Sequence, residues 1–328
     1  MKKITVIIAE HNEGSQLDET LDSLYSTSDT SLYDVIVVSD GSEIMPTITG
    51  HAKHIHHKAR LGVGASFDIG AKMAETPYLI TMGSDIRFRD NGYMERMIEH
   101  LDNEDKSFIC TTNLAINKDK MDVNRDDLMK RYGARLCMFL TRADLPKKSV
   151  IMGRLKDEIQ RDNYRNILEA KWIPPQDEDI YDIPCILGAF YGVRKSWYDY
   201  IKGFQGHRFW GTLEPFISLK SWFAGGKCQI AKDIETAHIF KAKSTHYTRP
   251  SDLVYNKLMA AIILFSKDDL TKTFINFLGT NTHVDVAKDL IGLHAKDIER
   301  YAREFGEIQE HGVYWFKEKF PFKDYDLL

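Results

Sequence analysis

A chain of 328 residues, 43% hydrophobic and 28% charged, has material for one large domain or two ordinary ones with an ample core. Its net charge of -4 removes any global electrostatic case for a nucleic-acid or membrane-surface protein. No apolar run reaches the ~18 residues of a membrane span, and the run after Met1-Lys2-Lys3 is too short for a secretory signal. The cysteines (Cys110, Cys137, Cys185, Cys228) form no Cys-x-x-Cys pair and read as free thiols, so a cytoplasmic setting is expected.

Residues 4–9, Ile-Thr-Val-Ile-Ile-Ala, form an unbroken β-rich run, as expected of a strand covered on both faces. A polar turn, residues 10–14, follows. Leu17, Leu21 and Leu24 then recur at helical spacing, with Ser15 and Asp18 placed like a capping box. Residues 35–38 predict a second buried strand, closed by Ser39-Asp40-Gly41-Ser42. Residues 54–57 predict a short third strand, 64–75 a helix, 78–82 a fourth strand, 91–101 a helix and 107–112 another strand. This alternation defines an α/β fold with a mostly parallel sheet, whose ligands sit beyond the carboxyl ends of the strands. Residues 10–12, Asp40, Ser84 and Asp85 therefore share one rim. From 118 to 171 the alternation stops. That stretch holds 14 Lys/Arg against 9 Asp/Glu and reads as a helical, basic insertion. An acidic loop follows at 172–182, core-like sequence returns at 185–193, and helical spacing dominates from about 251 onward. The divisions expected are 1–117, 118–183, 184–250 and 251–328.

Several local patterns compete for function. Gly62-Val63-Gly64 lacks the third glycine of a dinucleotide loop, because Phe67 stands there. His54 and His56 would share a strand face, but no Cys or carboxylate at ligand spacing supports a metal, so a solvated edge is expected. Asp40 fits equally the capping of a turn and the acceptance of a hydrogen bond from a nucleobase. Glu214 follows Trp210-Gly211 and opens the apolar run that ends at Gly225-Gly226; on position alone it is a carboxylate at a helix N-terminus. The strand at 78–82 ends in Gly83-Ser84-Asp85, and one carboxylate by itself is a poor metal site.

The order of these segments resembles the GT-A-fold glycosyltransferases of the family 2 type, and the second half resembles the polypeptide N-acetylgalactosaminyltransferases. The segments that carry it are ITVIIAEHNEG, VIVVSDGS, ARLGVGASFDIGAKMAETPYLITMGSDIRF and the stretch from LGAFYGVRK through GHRFWGTLEPF to AGGKCQIAKDIETAHIFK. The resemblance spans residues 3–113 and 185–250, leaving the insertion and the C-terminal helices uncovered. It implies a metal motif at 83–85, with Gly83 in the place of the first carboxylate, Ser84 in the middle and Asp85 last. It implies that His238, in the context His-Ile-Phe-Lys, is the distant second ligand of Mn²⁺ or Mg²⁺. Ala9, His11, Asp40, Arg60, Gly62, Ser84, Asp85 and Arg249 fall at nucleotide-sugar positions, with His11 beside the base and Arg60 near base or phosphate. His246, Tyr247 and Arg249 resemble a loop that closes over the diphosphate; Glu214 stands closest to the position of the general base of inverting relatives, and with retention of configuration it would position substrate instead.

The function so implied is metal-assisted transfer of a sugar from a nucleotide sugar, most naturally a UDP-sugar, to an acceptor hydroxyl. The acceptor stays open between a glycan precursor, a protein and a hydroxymethylated base in DNA. A nucleotidyltransferase would need a glycine- and lysine-rich loop after the first strand, and residues 10–15 hold one glycine and no lysine. A noncatalytic sugar-nucleotide or glycan-binding protein is the alternative that Gly83 keeps open.

Overall fold

The computed structural model describes residues 2–116, 129–137, 167–239, 248–279 and 281–321. Strand β1 (Ile4–Glu10) is buried along its whole length. Ile4, Val6 and Ile8 pack with Leu17, Leu21 and Leu24 of helix α1 (Ser15–Ser26), whereas Ile7 and Ala9 pack with Phe67 and Ala71 of α2 (Val63–Met73). Successive side chains thus enter opposite cores, which is why the segment is apolar at every position but Thr5 and Glu10. Helix α2 lies so close that a Cβ on Gly70 would stand 2.3 Å from Ile7 Cγ2.

Strands β2 (Tyr33–Asp40) and β3 (Lys53–His57) extend the sheet on one side of β1 and β4 (Tyr78–Gly83) on the other, all parallel. The direction of growth reverses at β1, so the crevice beyond the ends of β1 and β4 is the switch point where such sheets bind ligands. Next come β5 (Ile86–Phe88), helix α3 (Tyr93–Asn103) and β6 (Ser107–Ile116). Short strands β7 (Met129–Arg131), β8 (Ala134–Cys137), β9 (Glu169–Trp172) and β10 (Ile180–Asp182) follow. Strand β11 (Phe190–Arg194) enters antiparallel between β4 and β6, and β12 (Lys227–Ile239) runs parallel to β6. The main sheet has the order β10-β12-β6-β11-β4-β1-β2-β3, with β5 on β12 and β7 on β6, while β8 and β9 form a separate pair.

Helices α4 (Lys195–Tyr200) and α5 (Leu213–Phe223) belong to this second half. The C-terminal region is helical, as expected: α6 (Pro250–Leu264), α7 (Thr271–Phe277), α8 (Thr282–Leu293), α9 (Ala295–Gly306) and α10 (Val313–Lys319). Residues of α6, α8, α9 and α10 share one apolar core with α2, α5 and β1. Among the described residues no helix is long and apolar enough to cross a membrane.

Two expectations need correction. The regular elements among the described residues of the 118–183 stretch are strands rather than helices, joined by turns; the rest of it, including Lys147 and Lys148, lies outside the described residues. The register pairs Asn113 with Arg131 and Ala134 with Trp172, so distant partners stabilise segments too short and too charged to show a strand period. Nor does Ser15 cap α1. Gly14 occupies the cap position with φ 54 and no side-chain cap, and the Glu13 amide just ahead of it donates to Glu10 Oε1 at 3.0 Å.

Candidate active site

The rim starts where β1 and β2 end. Glu10 is buried; its Oε1 accepts the Glu13 amide and its Oε2 accepts the Ser42 hydroxyl at 2.8 Å. Ser42 Oγ in turn accepts the Asn12 amide at 3.0 Å, and Asn12 Oδ1 accepts the Glu43 amide at 2.9 Å. His11 Nδ1 lies 2.6 Å from the Asp40 carbonyl oxygen, a distance that suits Nδ1–H donation. Asp40 is 4% exposed, and its two carboxylate oxygens accept the amides of Leu61 and Gly62 at 2.6 and 2.7 Å. Of the two roles open to Asp40 in the sequence, these bonds favour turn-holding, although the loop held is 60–62 and not the adjoining Gly41-Ser42. Base reading would fall to the remaining lone pairs.

That loop meets a second one. Val63 donates to the Phe209 carbonyl at 2.9 Å, and Phe209 donates to the Leu61 carbonyl at 3.2 Å. A Cβ on Gly62 would stand 2.2 Å from Phe209 N, so only glycine allows this approach. The turn it braces holds Phe209, Gly211 and Thr212 at positive φ (49, 94 and 63°). Strained backbone of this kind persists only where its surroundings fix it. Asn256 Nδ2 donates to the Arg208 carbonyl at 2.8 Å, and His207 Nε2 lies 2.7 Å from the Gly211 carbonyl. Burial lowers the His207 pKa to about 4, so the ring is neutral and donates through Nε2–H. Beneath the turn, Asp68 accepts the Tyr198 hydroxyl at 2.7 Å and the Phe204 amide at 2.9 Å, while buried Lys220 donates to the Gly203 carbonyl at 2.8 Å. Desolvation pushes the Asp68 carboxyl up and the Lys220 ammonium down. The braced turn presents Trp210, half exposed.

On the other side of β1, β4 ends at Gly83. Thr20 Oγ1 donates to the Ser84 carbonyl at 2.7 Å, and buried Arg87 donates to Thr20 Oγ1 at 2.7 Å and to Glu19 at 2.5 Å. The Ser84-Asp85 turn is thereby fixed on α1. Strand β5 then pairs antiparallel with β12, setting His238 opposite Ile86, and the Ile239 amide donates to the Asp85 carbonyl at 3.0 Å. The side chains follow: His238 Nε2 lies 3.3 Å from Asp85 Oδ1. A Cβ on Gly83 would meet nothing nearer than Asp85 Oδ1, at 2.8 Å.

These groups line a cleft of about 740 Å³, together with Ala9, Ser84, Gly188, Trp210 and Glu214. A recess of about 50 Å³ adjoins it, lined by His11, Asp40, Arg60 and again by Ala9, Ser84 and Trp210. Glu214 sits in the first turn of α5, packed so that a Cβ on Gly188 would stand 2.4 Å from its Oε1. Burial raises its carboxyl pKa, Glu169 adds to the rise and His238 opposes it. A carboxylate and an imidazole such as Asp85 and His238 are donors that a divalent ion accepts, and no group of three or more His, Cys, Asp or Glu is assembled among the described residues.

Of the residues singled out in the sequence, Gly62 and Arg249 do not line either space. Gly62 serves the backbone approach above. Arg249 precedes α6, is exposed, and pairs with Asp252 at 3.1 Å. Its guanidinium, with those of Arg60 and Arg208, surrounds the Phe209 ring at 5.8, 5.7 and 5.5 Å. His246 and Tyr247 lie outside the described residues. Sequence reasoning missed Asn113, Arg131 and Trp172, which also line the cleft. Only Trp172 carried a signal, as an aromatic in an otherwise polar stretch.

The crevice at the sheet's switch point, where Asp85 and His238 meet from distant strands, defines the class: an α/β fold with the ligand cleft of nucleotide-binding sheets. The profile of glycosyl transferase family 2 matches residues 5–201, and the chain belongs to that family. It is 23% identical over 253 residues to "Polypeptide N-acetylgalactosaminyltransferase 8" of Drosophila melanogaster, covering 74% of this chain and 38% of that protein. It is also 23% identical over 263 residues to "Polypeptide N-acetylgalactosaminyltransferase 6" of Homo sapiens, with the same coverages of 74% and 38%. The chain thus spans well under half the length of these curated relatives. The crystal structure of GalNAc-T7 with UDP, GalNAc and Mn²⁺ superposes with a TM-score of 0.70 at 15% identity, over 97% of this chain and 57% of that one. The fold is therefore GT-A, as the sequence resemblance implied.

Proposed function

We propose that the chain is a divalent-metal-assisted glycosyltransferase that uses a UDP-sugar donor. The observation that carries this is the meeting of Asp85 and His238 at 3.3 Å, from opposite halves of the chain, in the cleft that also holds Glu214. GalNAc-T7, which shares the fold, was crystallised with UDP and Mn²⁺, and that supports the same donor nucleotide and ion here.

In this account the base enters the recess of His11 and Arg60, with Asp40 holding the 60–62 loop against it. The diphosphate lies across Ala9 and Ser84. Asp85 and His238 would hold Mn²⁺ or Mg²⁺, which as a Lewis acid neutralises the charge that develops on the leaving diphosphate. Trp210, lining both spaces, covers the donor and excludes water. Arg60 and Arg249 add positive charge at the mouth. Glu214, its pKa raised by burial, is a base poised nearer neutrality than a solvated carboxylate, and it takes the proton of the acceptor hydroxyl as that oxygen attacks the anomeric carbon.

Gly83 favours one rival, a noncatalytic sugar-nucleotide-binding protein. Incubation with radiolabelled UDP-sugars and Mn²⁺, scored for release of free sugar, separates the two. Turnover of at least one UDP-sugar is expected. Tight UDP binding with no release from any donor would leave a binder.

A further inference from the structure

Beside the donor groups the cleft holds a second set of side chains, from strands of the middle stretch and the end of β6. Trp172 is the last residue of β9 and is 51% exposed, yet it is not loose: the Arg131 guanidinium lies over its ring at 4.2 Å. Arg131 is paired in register with Asn113 on β6. Asn113 is 4% exposed, lines the cleft, and its Oδ1 has no hydrogen-bond partner among the described residues. A buried acceptor left unmet is costly, so its retention in a cleft calls for a donor that arrives from outside. All three residues line the main cleft and none lines the recess of His11 and Asp40. Asn113 also lies diagonal to His238, because β6 and β12 pair Asn113 with Thr236 and Ala115 with His238.

We propose that Trp172, Asn113 and Arg131 form the acceptor subsite, and that the acceptor is a saccharide. This rests on the glycosyltransferase reading of the same cleft. A pyranose has an apolar C–H face and a rim of hydroxyls. The indole of Trp172, braced by Arg131 on one side, offers a flat apolar surface of matching size on the other. A ring hydroxyl then donates to Asn113 Oδ1 and satisfies it. Stacking there keeps a second hydroxyl within the cleft that Glu214 lines. A polypeptide acceptor, which the names of the relatives would suggest, is the competing class.

The test uses saturation-transfer difference NMR on the full chain with UDP and Mg²⁺. The probes are lactose, cellobiose, N,N′-diacetylchitobiose and a threonine-containing decapeptide, and UDP affinity is measured by calorimetry on the same samples. At least one disaccharide should receive saturation, and the peptide none. Trp172→Ala should weaken that disaccharide at least tenfold, and Trp172→Phe should recover part of the loss, with UDP affinity within twofold of wild type in both. Asn113→Ala should weaken the disaccharide while leaving the melting temperature equal or higher, because it removes an unsatisfied buried group. A merely structural asparagine would lower it. Saturation of the peptide but of no disaccharide, no disaccharide contact at all in UDP-bound protein, or a disaccharide signal that survives Trp172→Ala would overturn the proposal. Failure of wild type to bind UDP would instead break the donor assignment beneath it.

Discussion

The two sides of the cleft are built differently. On the nucleotide side, Glu10, Asn12 and Ser42 are joined to one another and, like Asp40, to loop amides by bonds of 2.6 to 3.0 Å. On the proposed transfer side, Glu214 is desolvated, Asn113 Oδ1 is unmet among the described residues, Asp85 and His238 meet at 3.3 Å, and Trp172 and Trp210 are half exposed. In the first region these carboxylates, hydroxyls and amides satisfy one another and hold the loops as a preformed template. The second carries groups whose cost, on the proposed function, substrate would relieve. Interactions realised late in this way accelerate a reaction, whereas uniform ones only tighten binding.

The largest expected effect separates the two sides at Glu214. Glu214→Gln keeps shape and removes the proposed base, so sugar release or transfer should fall on the order of 10²-fold or more, with UDP affinity unchanged by calorimetry. Activity above about half of wild type would make Glu214 a helix-end carboxylate and no more. Asp40→Ala acts on the template. It strands the Leu61 and Gly62 amides, and loss of two charge-assisted bonds should cost about 2–5 kcal/mol in urea unfolding and weaken UDP in parallel. Unchanged stability would mean the 60–62 loop is held elsewhere.

A smaller effect concerns acid. His207 has a pKa of about 4 in the fold, against about 6.5 in an unfolded chain. Between those values the unfolded chain binds more protons, so stability falls as pH falls through that window. From pH 7 to pH 5 the loss should be about 2 kcal/mol, and His207→Gln, which can still donate to the Gly211 carbonyl, should remove that part of the slope. An unchanged slope would assign the acid sensitivity to other groups. The mildest change sharpens the comparison by filling the transfer side. Gly83 is not at positive φ, and the place of its Cβ is open but for Asp85 Oδ1. Gly83→Asp should therefore let Mn²⁺ raise the melting temperature without UDP, by a few degrees.

How much of this was legible follows the same division. The template side could be read from the chain because β1, β2 and β4 are largely apolar runs that each stop at a polar turn, and a doubly covered strand allows little else. The transfer side could not be read from local pattern. Strand β12 carries Lys232, Asp233 and Glu235 at a break in its register with β6, so no period points to a 13-residue strand, and His238 was reached only through family resemblance. Strands β7 and β9 have three and four residues, charged among them, and gain their form from partners remote in sequence. Hence the stretch read as helical, and the stacking of Arg131 on Trp172 was invisible. At α1, Gly14 at positive φ takes the cap position expected of Ser15, and the Glu10 carboxylate accepts the Glu13 amide just ahead of it.

The central claim is that Asp85 and His238 form half of a metal site which the donor diphosphate completes. It is tested most directly by thermal shift on wild type, Asp85→Asn and His238→Ala, each with Mn²⁺, with UDP and with both. Ligands that bind the native state raise its melting temperature by mass action. In wild type, Mn²⁺ alone should do little, and Mn²⁺ with UDP should raise the melting temperature well beyond UDP alone. Each variant should keep the UDP shift and lose the added effect of the metal. Full synergy in His238→Ala, or a UDP shift in wild type that Mn²⁺ leaves unchanged, would contradict the claim.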